Sequence, residues 1–263
     1  MEDISSPWPP AGLPHRRLCL AADVEQYSRL DTRTQSAVQS ELVRVLDEAA
    51  ALSGLDRAAW TRQPQGDLEF AVLPEATPED AVLGPFAHHL AVRLGDRNAR
   101  PAAQRIRLRM AVDTGVVADA ALGHAGPAPV AVARYVNAPQ LKAVLATLAA
   151  ADLAVIVSDR LYQDVVRSGR RDLDPAQYVR AHVRVKEFGG YGWIRVPGHA
   201  AGDVRSAVAE APEPKPSADA GTPSRTTLSQ YVHQGAVVGR DVVGDLTIGL
   251  PMPPPPAGSG DAR

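Results

Sequence analysis

Apolar residues recur with strand spacing and helix spacing in alternation between residues 16 and 198. The run RLCLAAD at 17–23 has an entirely apolar interior, which is typical of a buried strand. Residues 34–52 follow with apolar positions three or four apart, as in an amphipathic helix. Two strand-like runs then occupy 58–63 and 68–74, and the short Pro-Gln-Gly break between them predicts a hairpin.

The same alternation continues beyond the hairpin. In chain order the patterns predict helix 79–95, strand 104–115, helix 138–149, strand 152–158, helix 159–166 and a closing pair of strands, 178–186 and 191–198. The order β-α-β-β-α-β, with further elements after it, predicts an α/β (α+β) domain with a ferredoxin-like core. In such a core, helices pack on one face of a single, mostly antiparallel sheet.

The segments outside this region have a different composition. Residues 1–15 are predicted to be a loose N-terminal segment, and residues 199–229 are rich in Ala, Pro, Ser, Gly and charge, which predicts a flexible linker. A short Gly- and Val-rich segment at 230–250 has β-forming character, and the Pro-rich tail at 251–263 is predicted to be disordered. The folded domain is therefore expected to span 16–198.

Charge and composition exclude several functional classes. The 263 residues carry 28 Lys plus Arg against 30 Asp plus Glu, so the net charge of −2 shows no sign of a nucleic-acid or membrane partner. The run RIRLR at 105–109 alternates with apolar residues, which predicts the solvated face of a strand. Cys19 lies in an apolar run and is predicted to be a buried, inert thiol. No stretch reaches the roughly 18 apolar residues of a membrane span, and residues 1–14 lack a signal-peptide pattern, so we expect a cytoplasmic protein.

Two acidic residues occupy positions where they could act together. Asp23 ends the first predicted strand and Asp67 lies in the turn of the predicted hairpin. The β-α-β-β order places that strand beside the hairpin, where two neighbouring carboxylates would repel each other and a divalent cation would relieve the repulsion. Carboxylate oxygens suit Mg²⁺ or Mn²⁺, whose remaining ligands are often phosphate oxygens. The alternative is that both acids are structural, as most aspartates at strand ends and in Gly-Asp turns are.

Five segments, in order, resemble motifs of the class III nucleotidyl (adenylate and guanylate) cyclase domain. LCLAADVEQYSRL resembles the first metal motif, and RQPQGDLEFAVLPE resembles the second, a Gly-Asp hairpin followed by an apolar strand. IRLRMAVDTGVV resembles the strand with a terminal glycine, LAVIVSDRLYQDVV the late strand-Ser-helix segment, and VRVKEFGGYGWIRVPG the closing hairpin with its lysine. The resemblance covers residues 16–198 and implies a homodimer that binds a nucleoside triphosphate with Mg²⁺ or Mn²⁺.

The resemblance also implies roles for individual residues. Asp23 and Asp67 match the two metal-binding acids of the family. Gln63 falls at the position that reads the base, although its amide both donates and accepts and therefore selects no particular base. Lys186 matches a lysine near the phosphates, and Arg134 matches the arginine that stabilises phosphate charge during catalysis.

One motif departs from the family pattern. The family has Gly, three residues, Asn, three residues, Arg; Gly126 and Arg134 match it, but Val130 stands at the Asn position and cannot form a hydrogen bond to ribose. Asn137 lies too late to replace it without a local shift. Such a bond can be worth about 3–4 kcal/mol in a transition state. The resemblance thus implies a slow or altered nucleotidyl cyclase, and the alternative is an inactive cyclase-fold adaptor.

The C-terminal segment carries a separate hypothesis. Glycines recur every four or five residues with Val-Val and Leu-Thr-Ile runs between them, a pattern that combines turns with strand-forming residues. It resembles the short amyloid-type signalling motifs of bacterial conflict or defence proteins, which implies self-association and recruitment of a partner protein. The positions implied in this interaction are Gly235, Val238, Gly239, Val243 and Gly244. A small hairpin docked on the domain is the alternative.

Overall fold

The structure, a computed structural model, describes residues 13–211 except 102, 122, 171 and 172. The predicted C-terminal interaction motif, most of the predicted linker and nearly all of the N-terminal segment lie outside the described residues. Among the described residues, no helix is long and apolar enough to cross a membrane.

Eight strands in the described part of the chain form one sheet, in the order β2-β3-β1-β4-β6-β8-β7 with β5 paired to β4. Strands β4 and β6 are parallel and the other pairs are antiparallel. The strands are β1 His15–Val24, β2 Thr61–Gln65, β3 Leu68–Val72, β4 Leu108–Ala120, β5 Gly123–Ala125, β6 Leu153–Ser158, β7 Val179–Val185 and β8 Phe188–Arg195. The predicted closing hairpin is β7 and β8.

The helices are α1 Thr32–Leu52, α2 Glu79–Ala81, α3 Ala87–Asn98, α4 Pro127–Val136, α5 Pro139–Thr147, α6 Asp159–Asp164 and α7 Ala201–Ala209. A π-helical turn, Val82–Phe86, joins α2 to α3 and contains Pro85, whose ring cannot be accommodated in a regular α-helix. The 21-residue helix α1 begins at Asp31, whose carboxylate accepts the Thr34 N–H at 2.8 Å.

The predicted α/β class and ferredoxin-like core are confirmed. Strands β1 to β4 lie in the order β4-β1-β3-β2, and helices α1 and α3 pack on one face of them. The prediction of helices on one face holds for this core alone, because α4, α5 and α7 cover the opposite face of the sheet. The predicted start of the linker at residue 199 is wrong, since α7 buries Val204 and Ala207 against that second layer.

Strand β1 is buried on both sides, which explains its unbroken apolar run. Leu18 and Leu20 face the layer of α1 and α3, whereas Cys19 and Ala21 face the layer of α4 and α5. Because side chains alternate along a strand, Asp23 also points toward the α4–α5 side.

The start of α4 is set by Gly126, which has φ of 127°, a value that L side chains rarely adopt. A side chain at this position would also clash with the carbonyl oxygen of Val116 on β4. Pro127 follows at the first helical position, where its missing N–H costs no intrahelical hydrogen bond.

Candidate functional site

The two predicted acids lie together at one end of the sheet. Asp23 is paired in register with Leu68 on β3 and with Arg109 on β4. The neighbouring Val24 N–H donates to the main-chain oxygen of Asp67 at 3.1 Å, which anchors the hairpin turn against the end of β1. The negative charge of Asp67 is one of the causes that raise the pKa of Asp23. Asp23 and Asp67 are therefore neighbours, as expected from the β-α-β-β order.

Arg109 is the direct partner of Asp23, and sequence reasoning missed it. Its guanidinium donates to the Asp23 carboxylate, and the two side chains are only 13% and 12% exposed, respectively. Burial raises the pKa of Asp23 and the charge of Arg109 opposes that rise. The prediction that the RIRLR run forms a solvated strand face is wrong at this position, because α4 and α5 cover this side of the sheet.

Lys142 on α5 is a second cation that sequence reasoning missed. Its ammonium group donates to the Asn137 side-chain oxygen at 3.1 Å, and the Asn137 amide in turn donates to the Ala133 carbonyl oxygen at 3.1 Å. Burial lowers the pKa of Lys142, the charge of Arg109 lowers it further, and Asp23 opposes both. Lys142 therefore lies within electrostatic range of the acid pair.

These residues, as placed, do not fit a divalent metal centre. The argument for a metal rests on unrelieved repulsion between Asp23 and Asp67, but Arg109 is bound to Asp23 and Lys142 lies nearby, so two positive charges already balance two negative ones. No group of three or more His, Cys, Asp and Glu side chains that could hold a metal occurs among the described residues, so a metal here would depend on the two acids and on oxygens of the ligand. The Mg²⁺ or Mn²⁺ expected from the sequence stays a prediction.

A groove of about 390 Å³ lies on the α4–α5 side of the sheet and reaches Ala21, two residues before Asp23. Its apolar walls include Phe70 from β3 and Pro129 from α4, and its polar side chains include Arg134 from α4 and Asn137, which caps the C-terminus of α4. A mainly apolar cleft with a few polar groups is typical of small-molecule sites.

Two polar side chains, Gln63 and His124, lie at the β2–β5 end of the groove. The Gln63 amide lies directly against Gly123, so closely that a side chain at Gly123 would clash with it. His124, next along β5, is buried beside Phe70 with ring centroids 6.1 Å apart, and neither of its ring nitrogens has a hydrogen-bond partner in the described structure. The Asp119 carboxylate is 3.3 Å from its Nδ1 but lacks hydrogen-bonding geometry. Since buried polar groups are normally satisfied, a ligand edge could find partners here.

The remaining predicted residues are divided between the groove and its surroundings. Arg134 lines the groove and donates to Glu187 at 2.6 Å, and Glu187 lies in the turn between β7 and β8. Lys186 precedes it in that turn, exposed and with φ of 55°. The structure therefore places Lys186 beside the partner of Arg134 rather than beside Asp23.

Asn137 lines the same groove as Val130. Val130, Arg134 and Asn137 are spaced four and three residues apart, so they share one face of α4 and all three line the groove. Val130 is 49% exposed. The sequence position of Asn137 seemed too late, but it reaches the same groove two helical turns after Val130.

Known structures share this architecture. The chain is similar to the guanylyl cyclase Cya2, with a TM-score of 0.50 and 11% identity over 71% of this chain and 93% of that one. It is also similar to an adenylate/guanylate cyclase/hydrolase from Silicibacter pomeroyi, with a TM-score of 0.50 and 22% identity over 70% of this chain and 98% of that one. No family model matches the chain, and no curated protein does. The described domain therefore has the nucleotidyl cyclase fold, as the five sequence segments predicted.

Proposed function

We propose that the domain is a nucleotidyl cyclase-like signalling module that binds a nucleoside triphosphate in the groove between β2, β3, β5 and α4. The observation that supports this most directly is the groove itself. It combines an aromatic wall at Phe70, the Gln63 amide, the His124 ring, whose two nitrogens lack hydrogen-bond partners among the described residues, and a cation at Arg134. A nucleotide needs an aromatic and polar environment for its base and a positively charged environment for its phosphates, at opposite ends of one site.

The distribution of charge sets the expected orientation of the nucleotide. The base fits at the end formed by Phe70, Gln63 and His124, where a flat ring gains aromatic contact and polar edges find partners. The phosphates fit at the other end, where Arg134 and the Asn137–Lys142 pair lie. Because Gln63 can donate and accept, this arrangement sets no choice among the four bases.

Catalysis by this site is expected to be slow. Cyclisation requires the ribose 3′ hydroxyl to give its proton to solvent and its oxygen to bond the α-phosphorus while the bond to pyrophosphate breaks, and in our proposal Arg134 stabilises the phosphate charge that develops. Val130 offers no hydrogen bond to hold the ribose, and such a bond can be worth about 3–4 kcal/mol in a transition state, or a few hundredfold in rate.

An inactive, nucleotide-binding adaptor is the second candidate. It is favoured by the ion pair between Asp23 and Arg109, because the negative charge of Asp23 is then neutralised by Arg109 and is not available to a catalytic metal. In this case the bound nucleotide is a signal rather than a substrate, and the segment at 230–250 recruits the partner protein.

Calorimetry on the full chain with each of the four nucleoside triphosphates tests binding. Ala133→Trp fills the groove from its α4 wall and is expected to weaken binding at least tenfold, whereas Ala146→Trp adds the same bulk at an exposed position of α5 and serves as the control. Mass spectrometry of the same mixtures, with Mn²⁺ added, detects any cyclic monophosphate. Failure of the wild-type protein to bind any of the four would refute the proposed function.

A further inference from the structure

Four charged side chains meet where the acid pair lies. Asp23 and Asp67 supply two negative charges, and Arg109 and Lys142 supply two positive ones within electrostatic range. In a site built only of two acids, a divalent cation would both relieve their repulsion and attract phosphate. Here the chain supplies both positive charges itself.

Arg109 is firmly placed at Asp23. Both side chains are largely buried, and the guanidinium bonds the carboxylate directly. A divalent cation at Oδ2 of Asp23 would have to displace this guanidinium and leave its charge beside the metal, where Asp67 is the described acid whose charge acts on Asp23. The guanidinium therefore competes with a metal for Oδ2 of Asp23, the oxygen that it bonds.

Lys142 differs from Arg109 because its charge is not neutralised by direct contact. No carboxylate lies within ion-pair distance of its ammonium group in the described part of the chain, and its hydrogen-bond partner is the neutral amide of Asn137. An ammonium group has three donors, so donors remain for a ligand. Lys142 is not itself a lining residue, but its hydrogen bond to Asn137, which lines the groove, holds its ammonium group beside the end of the groove where we expect the phosphates.

We propose that Lys142 holds a phosphate of the bound nucleotide directly, and that Arg109 takes the place of a metal at Asp23, so nucleotide binding requires no divalent cation. The inference rests on the proposed function, because it concerns the phosphate end of the same groove. Arg134 supplies a second cation on the adjoining helix face, where its partner Glu187 is exposed. The ligand class is a nucleoside di- or triphosphate, recognised through charge-assisted hydrogen bonds to its phosphate oxygens.

The test is calorimetric titration of the full chain with ATP and GTP, once in excess EDTA and once in excess Mn²⁺. The expected affinities agree within about threefold between the two conditions. Lys142→Gln is expected to weaken binding in EDTA about tenfold, as for the loss of one charge-assisted contact, and Lys142→Arg is expected to retain most of the affinity. Arg93→Gln removes one positive charge on α3, on the opposite side of the sheet, and is expected to change nothing.

The outcomes separate the inference from the proposed function. Binding that appears only with Mn²⁺ would overturn the inference and leave the proposed function standing. Lys142→Gln with wild-type affinity in EDTA would also overturn it, whatever the metal dependence. The absence of binding under both conditions would overturn the inference together with the proposed function.

Discussion

The ion pair between Asp23 and Arg109 makes a sharp stability prediction. Arg109→Gln leaves the Asp23 carboxylate, 12% exposed, without its direct cationic partner. Breaking a buried ion pair by removing one member costs about 3–5 kcal/mol. Since Lys142 stays within electrostatic range and some solvent reaches the pair, we expect a loss of about 2–3 kcal/mol in the free energy of unfolding at neutral pH.

The loss should depend on pH in a defined direction. Burial raises the pKa of Asp23 in the folded protein, and Arg109→Gln removes the strongest factor that opposes the rise. The folded variant then holds a proton on Asp23 more readily than the unfolded chain does. Its stability therefore falls as pH rises above the unfolded aspartate pKa of about 3.9, and the deficit at about pH 5 should be smaller than at about pH 7.

Urea unfolding of four proteins checks this reasoning: the wild type, Arg109→Gln, Asp23→Asn and the double variant. The double variant leaves no charge unpaired, so its stability is expected within about 1 kcal/mol of the wild type, with a clear coupling energy in the cycle. A deficit for Arg109→Gln that is equal at both pH values, or purely additive single effects, would refute the assignment of this pair.

The other predictions concern separate parts of the molecule. Gly126→Ala is expected to destabilise the fold by about 3 kcal/mol in urea unfolding, because of its φ of 127° and the clash with the Val116 carbonyl; a loss below about 1 kcal/mol would contradict the strain. Val130 is half exposed, so Val130→Asn should change the free energy of unfolding by less than about 0.5 kcal/mol, and it should raise any yield of cyclic monophosphate. An unchanged yield would argue against a role for this position in holding the ribose. Burial and the charge of Asp113 raise the pKa of Cys19 to about 12, so a thiol reagent at neutral pH should react only after denaturant is added, and prompt labelling would contradict this. Light scattering should show the predicted homodimer, and a monomer in the presence of nucleotide would contradict that prediction.

The proximity of the two acids could be predicted from the sequence because it depends on one factor, the order of the strands. The β-α-β-β order brings the end of β1 beside the β2–β3 turn, so the proximity of Asp23 and Asp67 followed from topology alone. The burial of Arg109 on β4, the strand that pairs with β1, could not be predicted in the same way. Alternation in RIRLR shows only that two faces differ, and it does not show that helices cover the face where Arg109 lies.

Composition gave a wrong position for the start of the linker at the end of the domain. The Ala-rich stretch after residue 199 resembles a linker in its content, yet Val204 and Ala207 are spaced three apart and pack on the second layer through α7. Only two of the nine residues of α7 are buried, and most of its apolar residues are alanines, so a helical periodicity does not stand out in such a window. A helix held by so small a face is stabilised by packing rather than by its own propensity.

The break between α4 and α5 connects the departures at this site. Asn137 ends α4, and Pro139 opens α5 because its ring lacks the N–H that a continuous helix would need. In an unbroken helix, residue 141 rather than 142 would continue the face of Arg134 and Asn137. The break instead lets Lys142 bond Asn137 and approach the acid pair. We infer that the Asn137 amide and the Lys142 ammonium group supply the polar contacts that Val130 cannot make. These two groups favour holding phosphate over orienting ribose. Such an arrangement is expected of a domain that binds nucleotide more readily than it cyclises it.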